Sequence, residues 1–242
     1  MRAMIFAAGL GTRLRPLTDH MPKALVPVGG VPLLHRLLTK LYAAGYTHVV
    51  INIHHHAAQI IDFLAAHDYG MHIDISDESD MLLDTGGGLR HAAQFFTGDE
   101  PILLHNVDIL SNLSLDHFTA SFRPDCLAQV VVSERPTSRY LLFDNDNRLA
   151  GWHNISTGAT RPPGIDTTAL RPYAFAGIHL VSPRIFTLMA HYPDKFSIID
   201  FYLEAMHNET IAAYLPDNFA MLDVGKVDIL AAANDFVTQY HL

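Results

Sequence analysis

One cysteine, Cys126, is all that the 242 residues contain, so no internal disulfide framework can form. It stands just before the apolar run LAQVVV, where a packed structural thiol is expected rather than a nucleophile. No apolar run is long enough to cross a bilayer. The opening MRAMIFAAGLG carries glycine early and runs into a charged loop, unlike a signal peptide. These absences suit a reducing cytoplasm and argue against a membrane partner. Positive charge is also scarce. Lys and Arg number 16 against 25 Asp and Glu, a formal net charge of -9. Nucleic acid needs a basic face, so it is not expected as a partner. A phosphorylated small molecule remains open, because a few cations, backbone N–H groups and a divalent metal can hold phosphates inside an acidic protein. What is present is an ordinary globular composition, 49% hydrophobic and 17% charged. The 16 His residues are an oddity, expected mainly at the surface or in polar contacts.

The first half alternates short apolar strands with amphipathic helices. Strands are expected at Ala3–Ala8, His48–Ile53, Met71–Ser76 and Pro101–Asn106. The stretch Pro32–Gly45 places Leu33, Leu34, Leu37, Leu38 and Leu41 on one helical face, with Pro at its start and Gly at its end. AQIIDFLAAH and GLRHAAQFF read as further helices. This alternation predicts an α/β fold with a doubly wound, Rossmann-like parallel sheet. The second half is less regular. LAQVVVSE, RYLLFDNDNRLAGWH and Tyr173–Val181 read as strands, with Asn145-Asp146-Asn147 as a hairpin turn. SIIDFYLEAMHN and KVDILAAANDFV read as helices, and ISTGATRPPGIDTTALRP as a loop. Nothing resembles a repeat or a linker, so one domain over residues 1–242 is expected.

The most informative segment follows the first strand: Gly9-Leu10-Gly11-Thr12-Arg13-Leu14-Arg15-Pro16-Leu17-Thr18, closed by Pro22-Lys23. Open α/β sheets bind ligands at the C-terminal ends of their strands. Gly9 and Gly11 allow a tight backbone that presents N–H groups to phosphate oxygens. Arg13 offers a fork of donors and Lys23 a point charge. A glycine-rich surface turn would not need two arginines and a Pro-Lys as well. Walker A does not fit, since no GxxxxGK[ST] occurs. The dinucleotide fingerprint fails too, because Leu14 stands where its third glycine belongs.

AAGLGTRLRPLTDHMPKAL resembles the GxGxRxxPLTxxxPK signature of the sugar-1-phosphate nucleotidyltransferases, or sugar-nucleotide pyrophosphorylases. The resemblance runs along nearly the whole chain and is strongest up to about Leu110. It implies a mixed, mostly parallel sheet, with a nucleotide-binding half over about 1–112 and a sugar-binding half over about 113–242. It implies that Ala8, Gly9, Gly11, Thr12 and Arg13 cradle the triphosphate, and that Arg13, Lys23 and Asp108 are catalytic.

Leu83-Asp84-Thr85-Gly86-Gly87-Gly88 follows. Consecutive glycines at a helix N-terminus let a flat ligand lie against backbone, and the resemblance places a base- and ribose-binding loop here. Thr85, Gly86 and Gly87 are therefore nucleotide-site candidates, and Glu78 is the candidate for reading the base edge. A solvated acidic loop, Asp77 to Asp80, is the competing reading of Glu78. The TGGG form is similar to uridylyltransferases acting on N-acetylmuramate or N-acetylglucosamine 1-phosphates.

Asp108, in HNVD, and Asp223, in MLDVG, each follow a strand-like run. Either alone could cap a turn. The resemblance makes them the ligands of Mg²⁺, which takes one or two carboxylates plus substrate phosphates. This chain reads HNVD where many relatives read NGD, and Met221 where an aromatic is frequent. Asn106, Asn154 and Gly177 are the sugar-site candidates, although His153-Asn154 stands where relatives often carry a Glu. His54-His55-His56 cannot easily converge on one ion, since neighbours on a strand point to opposite faces.

The implied reaction joins a nucleoside triphosphate, with UTP expected, to a sugar-1-phosphate and releases pyrophosphate. GTP with mannose- or heptose-1-phosphate is an alternative within the class. A catalytically silent nucleotide-sugar sensor is another, against which Arg13, Lys23, Asp108 and Asp223 all argue. No hexapeptide repeat accompanies the domain, and a monomer or small homo-oligomer is expected.

Overall fold

Met4 faces one core of the molecule while its neighbours Ala3 and Ile5 face another, and none of the three is exposed to solvent. That alternation is the signature of a strand buried on both sides. The computed structural model, which describes all 242 residues, places it at the centre of a ten-stranded mixed sheet. The first half comprises β1 (Arg2–Phe6), β2 (Pro27–Val28), β3 (Val31–Pro32), α1 (Leu33–Ala43), β4 (His48–Ile53), α2 (Ala57–Ala65), β5 (His72–Asp77), α3 (Asp84–His91), β6 (Ile102–Asn106), β7 (Ile109–Ser111) and α4 (Leu115–Ala120). The second comprises β8 (Ala128–Ser133), β9 (Arg139–Phe143), β10 (Leu149–Asn154), β11 (Ala159–Arg161), β12 (Arg171–Val181), α5 (Ile185–Leu188), α6 (Ile198–Ala205), β13 (Ile211–Tyr214), β14 (Met221–Asp223) and α7 (Leu230–Gln239).

The sheet is parallel through its centre, in the order β5-β4-β1-β6. β12 then joins β6 antiparallel. One end of this long strand pairs with β9, which leads on to β10 and β11. Its other end pairs with β8, against which β13 lies parallel. Helices cover both faces. On one, α1 buries Leu33, Leu34, Leu37, Leu38 and Leu41, joined by Phe118 of α4 and Val237 of α7. Leu89 of α3 and Phe201 and Tyr202 of α6 fill the other. Each such side chain contributes roughly 1.5–3 kcal/mol of burial.

Two sequence expectations need correction. α3 starts at Asp84, so the three glycines lie inside its first turns rather than before it. The Gly/Thr/Pro-rich stretch after Asn154 is not wholly a loop, since β11 hydrogen-bonds to β10 within it. Cys126 is buried as a free thiol. No helix is long and apolar enough to cross a membrane.

Candidate active site

The central parallel strands end together. Phe6 is level with Asn52 on one side and Asn106 on the other, and beyond them opens a cleft of about 490 Å³. Its floor is braced by Asn52, which is 2% exposed. The Asn52 Oδ1 accepts the N–H groups of Ala7 and Ala8 at 2.7 and 3.3 Å, and its Nδ2 donates to Glu78 Oε1 at 2.7 Å. The other Glu78 oxygen accepts the Leu83 N–H at 3.1 Å. Burial pushes the Glu78 carboxyl above the usual carboxylate range, with these hydrogen bonds pulling the other way. Glu78 is thus a brace between β4 and the approach to α3, and neither of its oxygens is idle. It is not the solvated loop residue of the competing reading.

The glycine loop folds through short 3₁₀ turns at Thr12–Leu14, Leu17–Asp19 and Lys23–Leu25. Leu14 anchors it in the core with no exposure. Gly11 adopts φ +62, and a Cβ there would lie 2.9 Å from Thr18 Cγ2 and 3.2 Å from Lys23 Cβ. Only glycine fits both the left-handed backbone and the space. Thr18 Oγ1 closes the turn by donating to the Gly11 carbonyl at 2.8 Å. Gly9 faces open cleft, with no atom within 4 Å of its missing side chain.

Charges converge from distant parts of the chain. Lys23 Nζ makes an ion pair with Asp108, just past β6. β7 and β14 form an antiparallel ribbon that sets Asp223 opposite Ile109, and the Val224 N–H donates to the Asp108 carbonyl at 2.9 Å. The two carboxylates are thereby held side by side. Burial and then the charge of Asp108 push the Asp223 carboxyl up, against the pull of Lys23, Arg13 and Arg135. Arg13 reaches the same corner, where its Nη2 and Asp223 Oδ1 lie 3.0 and 2.7 Å from the position a Gly225 side chain would take. Two carboxylates side by side, the charge of one raising the proton affinity of Asp223, form at a cleft a hard oxygen donor set of the kind Mg²⁺ takes. The residues present fit that ion.

Ala8, Gly9, Gly11, Thr12, Arg13, Lys23, Glu78, Thr85, Asn106 and Asp108 all line the cleft, as does Gly225 beside Asp223. Five candidates do not; Asp223 is one of them, standing beside the lining residue Gly225. Gly86 and Gly87 give their N–H groups to the Phe196 carbonyl at 2.9 and 3.2 Å. A Cβ on Gly86 would collide with Phe196 and one on Gly87 with the Asp194 carbonyl, while one on Gly88 would lie 2.5 Å from Glu78. Gly86 and Gly87 make room for the protein's own segment 194–196, and Gly88 for Glu78, rather than for a flat ligand. Gly177 is buried in β12 at φ +74, where a side chain would lie 2.8 Å from Asn106 Nδ2. It acts on the cleft only through Asn106. Asn154 sits in the β10–β11 hairpin with its Oδ1 accepting the Ser156 N–H at 3.0 Å, away from the cleft lining.

Sequence reasoning missed Asn52, Lys195 and Arg135. Asn52 carried a signal, an amide inside the apolar run HVVINI. Lys195 carried none. It reaches the cleft because segment 192–196 is tied to α3 by Arg90, which bonds the Tyr192 carbonyl and Asp194. Arg135, after β8, donates to the Phe175 carbonyl at 3.1 Å and lowers the proton affinity of Asp223.

The sequence profile of the Nucleotidyl transferase family matches residues 2–240. The chain belongs to that family. As a nucleotidyltransferase it is 31% identical, over 227 residues and 90% of each chain, to the N-acetylmuramate alpha-1-phosphate uridylyltransferase of Caulobacter vibrioides. The protein of the same name from Neisseria meningitidis serogroup B is 43% identical over 124 residues, covering 51% of this chain and 52% of that one. In three dimensions the transferase is similar to HddC from Yersinia pseudotuberculosis. That likeness has a TM-score of 0.76 at 22% identity, over 97% of this chain and 98% of the other. At that identity it speaks for the fold.

Proposed function

We propose that this nucleotidyltransferase moves a uridylyl group from UTP to an amino-sugar-1-phosphate, N-acetylmuramate-1-phosphate first among them, and releases pyrophosphate. One observation carries the reading: Arg13, Lys23 and Asp108 line one cleft above a glycine loop, with Asp223 beside Asp108 and Arg13 at its edge. A sugar-phosphate oxygen attacks the α-phosphorus, a new P–O bond forms, and the bond to the β-phosphate bridging oxygen breaks. The nucleophile is already an anion, so no general base is needed. The difficulty is bringing two polyanions together, and the site answers it with position and charge. Backbone N–H groups around Gly11 and the Arg13 fork hold the departing phosphates. Lys23 faces the charge that develops at the reacting phosphorus. Asn106, backed by Gly177, approaches the sugar side. Mg²⁺ bound by Asp108 and Asp223 would supply charge neutralisation between the two phosphates. The uridylyl preference rests on the two relatives' names and the TGGG form of the loop. The lone buried cysteine suits the cytoplasm as the compartment.

The test is pyrophosphate release with Mg²⁺, crossing UTP, GTP, CTP, dTTP and ATP with a panel of sugar-1-phosphates. A preference for UTP with N-acetylmuramate- or N-acetylglucosamine-1-phosphate is expected. GTP with mannose- or heptose-1-phosphate would keep the mechanism and replace the base. Nucleotide binding without turnover for any pair would make the chain a sensor.

A further inference from the structure

None of the 16 His residues lines the cleft, yet two of them meet at the opposite edge of the sheet. His48 opens β4 and His72 opens β5, and the parallel register pairs them directly. Asp74, two residues further along β5, falls on the same face because side chains alternate with period two. Its Oδ2 lies 2.7 Å from His48 Nε2 and 3.2 Å from His72 Nε2. The imidazole centroids are 5.0 Å apart, and one ligating atom from each residue lies within 4.8 Å of both others. Phe96 walls the His48 side, with ring centroids 6.2 Å apart. The His72 side chain is 69% exposed, whereas those of His48 and Asp74 are 21% and 26% exposed.

Both imidazoles thus aim the same nitrogen at the same carboxylate oxygen. With no metal, the His48 Nε2–H donates to that oxygen, and His72 Nε2 stands beside it. A metal ion would instead take the two Nε2 lone pairs, each neutral imidazole then carrying its single proton on Nδ1. Tetrahedral Zn²⁺ with bonds of about 2.0–2.2 Å spaces its ligand atoms roughly 3.3–3.5 Å apart. The His72–Asp74 spacing already lies close to that figure. The His48–Asp74 pair, at 2.7 Å, has to open by roughly 0.6–0.8 Å, which the exposed His72 side of the cluster leaves room for. Two imidazoles with one carboxylate favour zinc over the harder Mg²⁺, and a fourth position faces solvent.

We propose that His48, His72 and Asp74 form a zinc site at the N-terminal edge of the parallel sheet, separate from the catalytic carboxylates. β5 is the edge strand and is tied to the sheet through β4 alone. A bound ion clamps these two strands together. The same strands lead to Asn52 and Glu78 four residues further along, about 13 Å away, so the clamp stiffens the frame that braces the cleft without touching substrate.

The test is equilibrium dialysis of the whole chain against micromolar zinc with millimolar Mg²⁺ present, counting metal per chain. Thermal midpoints with and without zinc, and the visible spectrum of the Co²⁺ form, accompany it. Wild type should retain one zinc, show the intense bands of tetrahedral cobalt, and gain thermal midpoint with zinc. His72→Ala and Asp74→Asn should each weaken zinc by about tenfold or more and lose the thermal gain, while His55→Ala keeps both. The metal-free midpoint of each variant reports whether it folds, and His72→Ala changes an exposed side chain. Zinc retained in both site variants but lost in Asp223→Asn would place it in the cleft and overturn the proposal. No zinc on the wild-type chain would overturn it as well.

Discussion

Lys23 is the one cation in an ion pair with Asp108, and Asp108 in turn is the neighbour that raises Asp223. Removing Lys23 therefore does two things at once. It takes away the charge facing the reacting phosphorus, and it leaves two adjacent carboxylates less compensated. Lys23→Met is expected to lower turnover by a factor of about 100 or more, with an unchanged far-UV circular dichroism spectrum. Losing the lysine also removes a charge that holds the Asp223 carboxyl down, and pushes it further up. The acid limb of the pH–rate profile should then move to higher pH in the variant than in wild type. A variant with full turnover would remove Lys23 from the reacting centre. Lost turnover with an unmoved acid limb would instead separate Lys23 from the carboxylate pair. Gly177 offers a finer probe. Gly177→Ala adds a methyl 2.8 Å from Asn106 Nδ2 on a left-handed backbone, so it should raise the KM for the sugar phosphate more than the KM for the nucleotide.

Among the elements, α3 and the segment after α5 form one unit. Thr85 Oγ1 accepts the Ile198 N–H at 3.0 Å, at the start of α6, beside the Gly86 and Gly87 bonds to Phe196. Thr85→Ala should cost about 1 kcal/mol, the usual worth of a helix-capping oxygen. Gly87→Ala drives a methyl into the Asp194 carbonyl and should cost roughly 1–3 kcal/mol, as overpacking does. Because Lys195 rides on that segment, Gly87→Ala should also raise the KM for a phosphorylated substrate, whereas Gly98→Ala, with no atom within 4 Å, should not. Chemical denaturation and initial rates check both. The same unit shows what a sequence can and cannot reveal. The strands β1, β4 and β6 were legible because burial on both faces writes continuous apolar runs, and β5, HIDISD, because its residues alternate. The phosphate-facing loop was legible because its residue types crowd into one short stretch. The purpose of Gly86 and Gly87 was not, because a glycine does not say whether a ligand or another part of the chain lies against it. Asn154 and Lys195 fail for a related reason. Their side chains reach or miss the cleft through pairings between segments far apart in the chain, which local pattern does not encode. β7, β13 and α4 escaped because three to six residues are too few for a period to declare itself.

At the scale of the whole molecule, two histidines buried in the sheet should govern how stability depends on pH. His105 in β6 and His179 in β12 are each 1% exposed and lie on strands that pair antiparallel. Burial lowers both to about 3, with the charge of Lys40 adding to the shift at His105 and that of His105 adding at His179. His105 Nδ1 donates to the Asn106 carbonyl at 2.8 Å, and His179 Nδ1 pairs with the Tyr202 hydroxyl at 2.6 Å. The sign follows from which state takes the proton. An unfolded chain protonates these imidazoles near 6.5, whereas the folded chain keeps them neutral down to about 3. As pH falls below 6.5 the unfolded state binds more protons, so stability drops, by up to about 1.4 kcal/mol per pH unit for each histidine. Lys40, lowered to about 8 by burial, acts in a different window. It protonates near 10.4 when unfolded, so its penalty grows as pH falls toward 8 and is constant below. Comparing wild type with a variant by urea unfolding from pH 7.5 to 5 isolates one histidine, because the raised carboxyls of Glu78 and Asp223 are common to both. His179→Phe should begin less stable at pH 7.5, having deprived Tyr202 of its partner, and should then lose stability with a slope shallower by one proton. The two curves would converge toward pH 5. Parallel curves would mean that His179 accepts a proton inside the folded sheet, and that the strands around it open more readily than their packing implies.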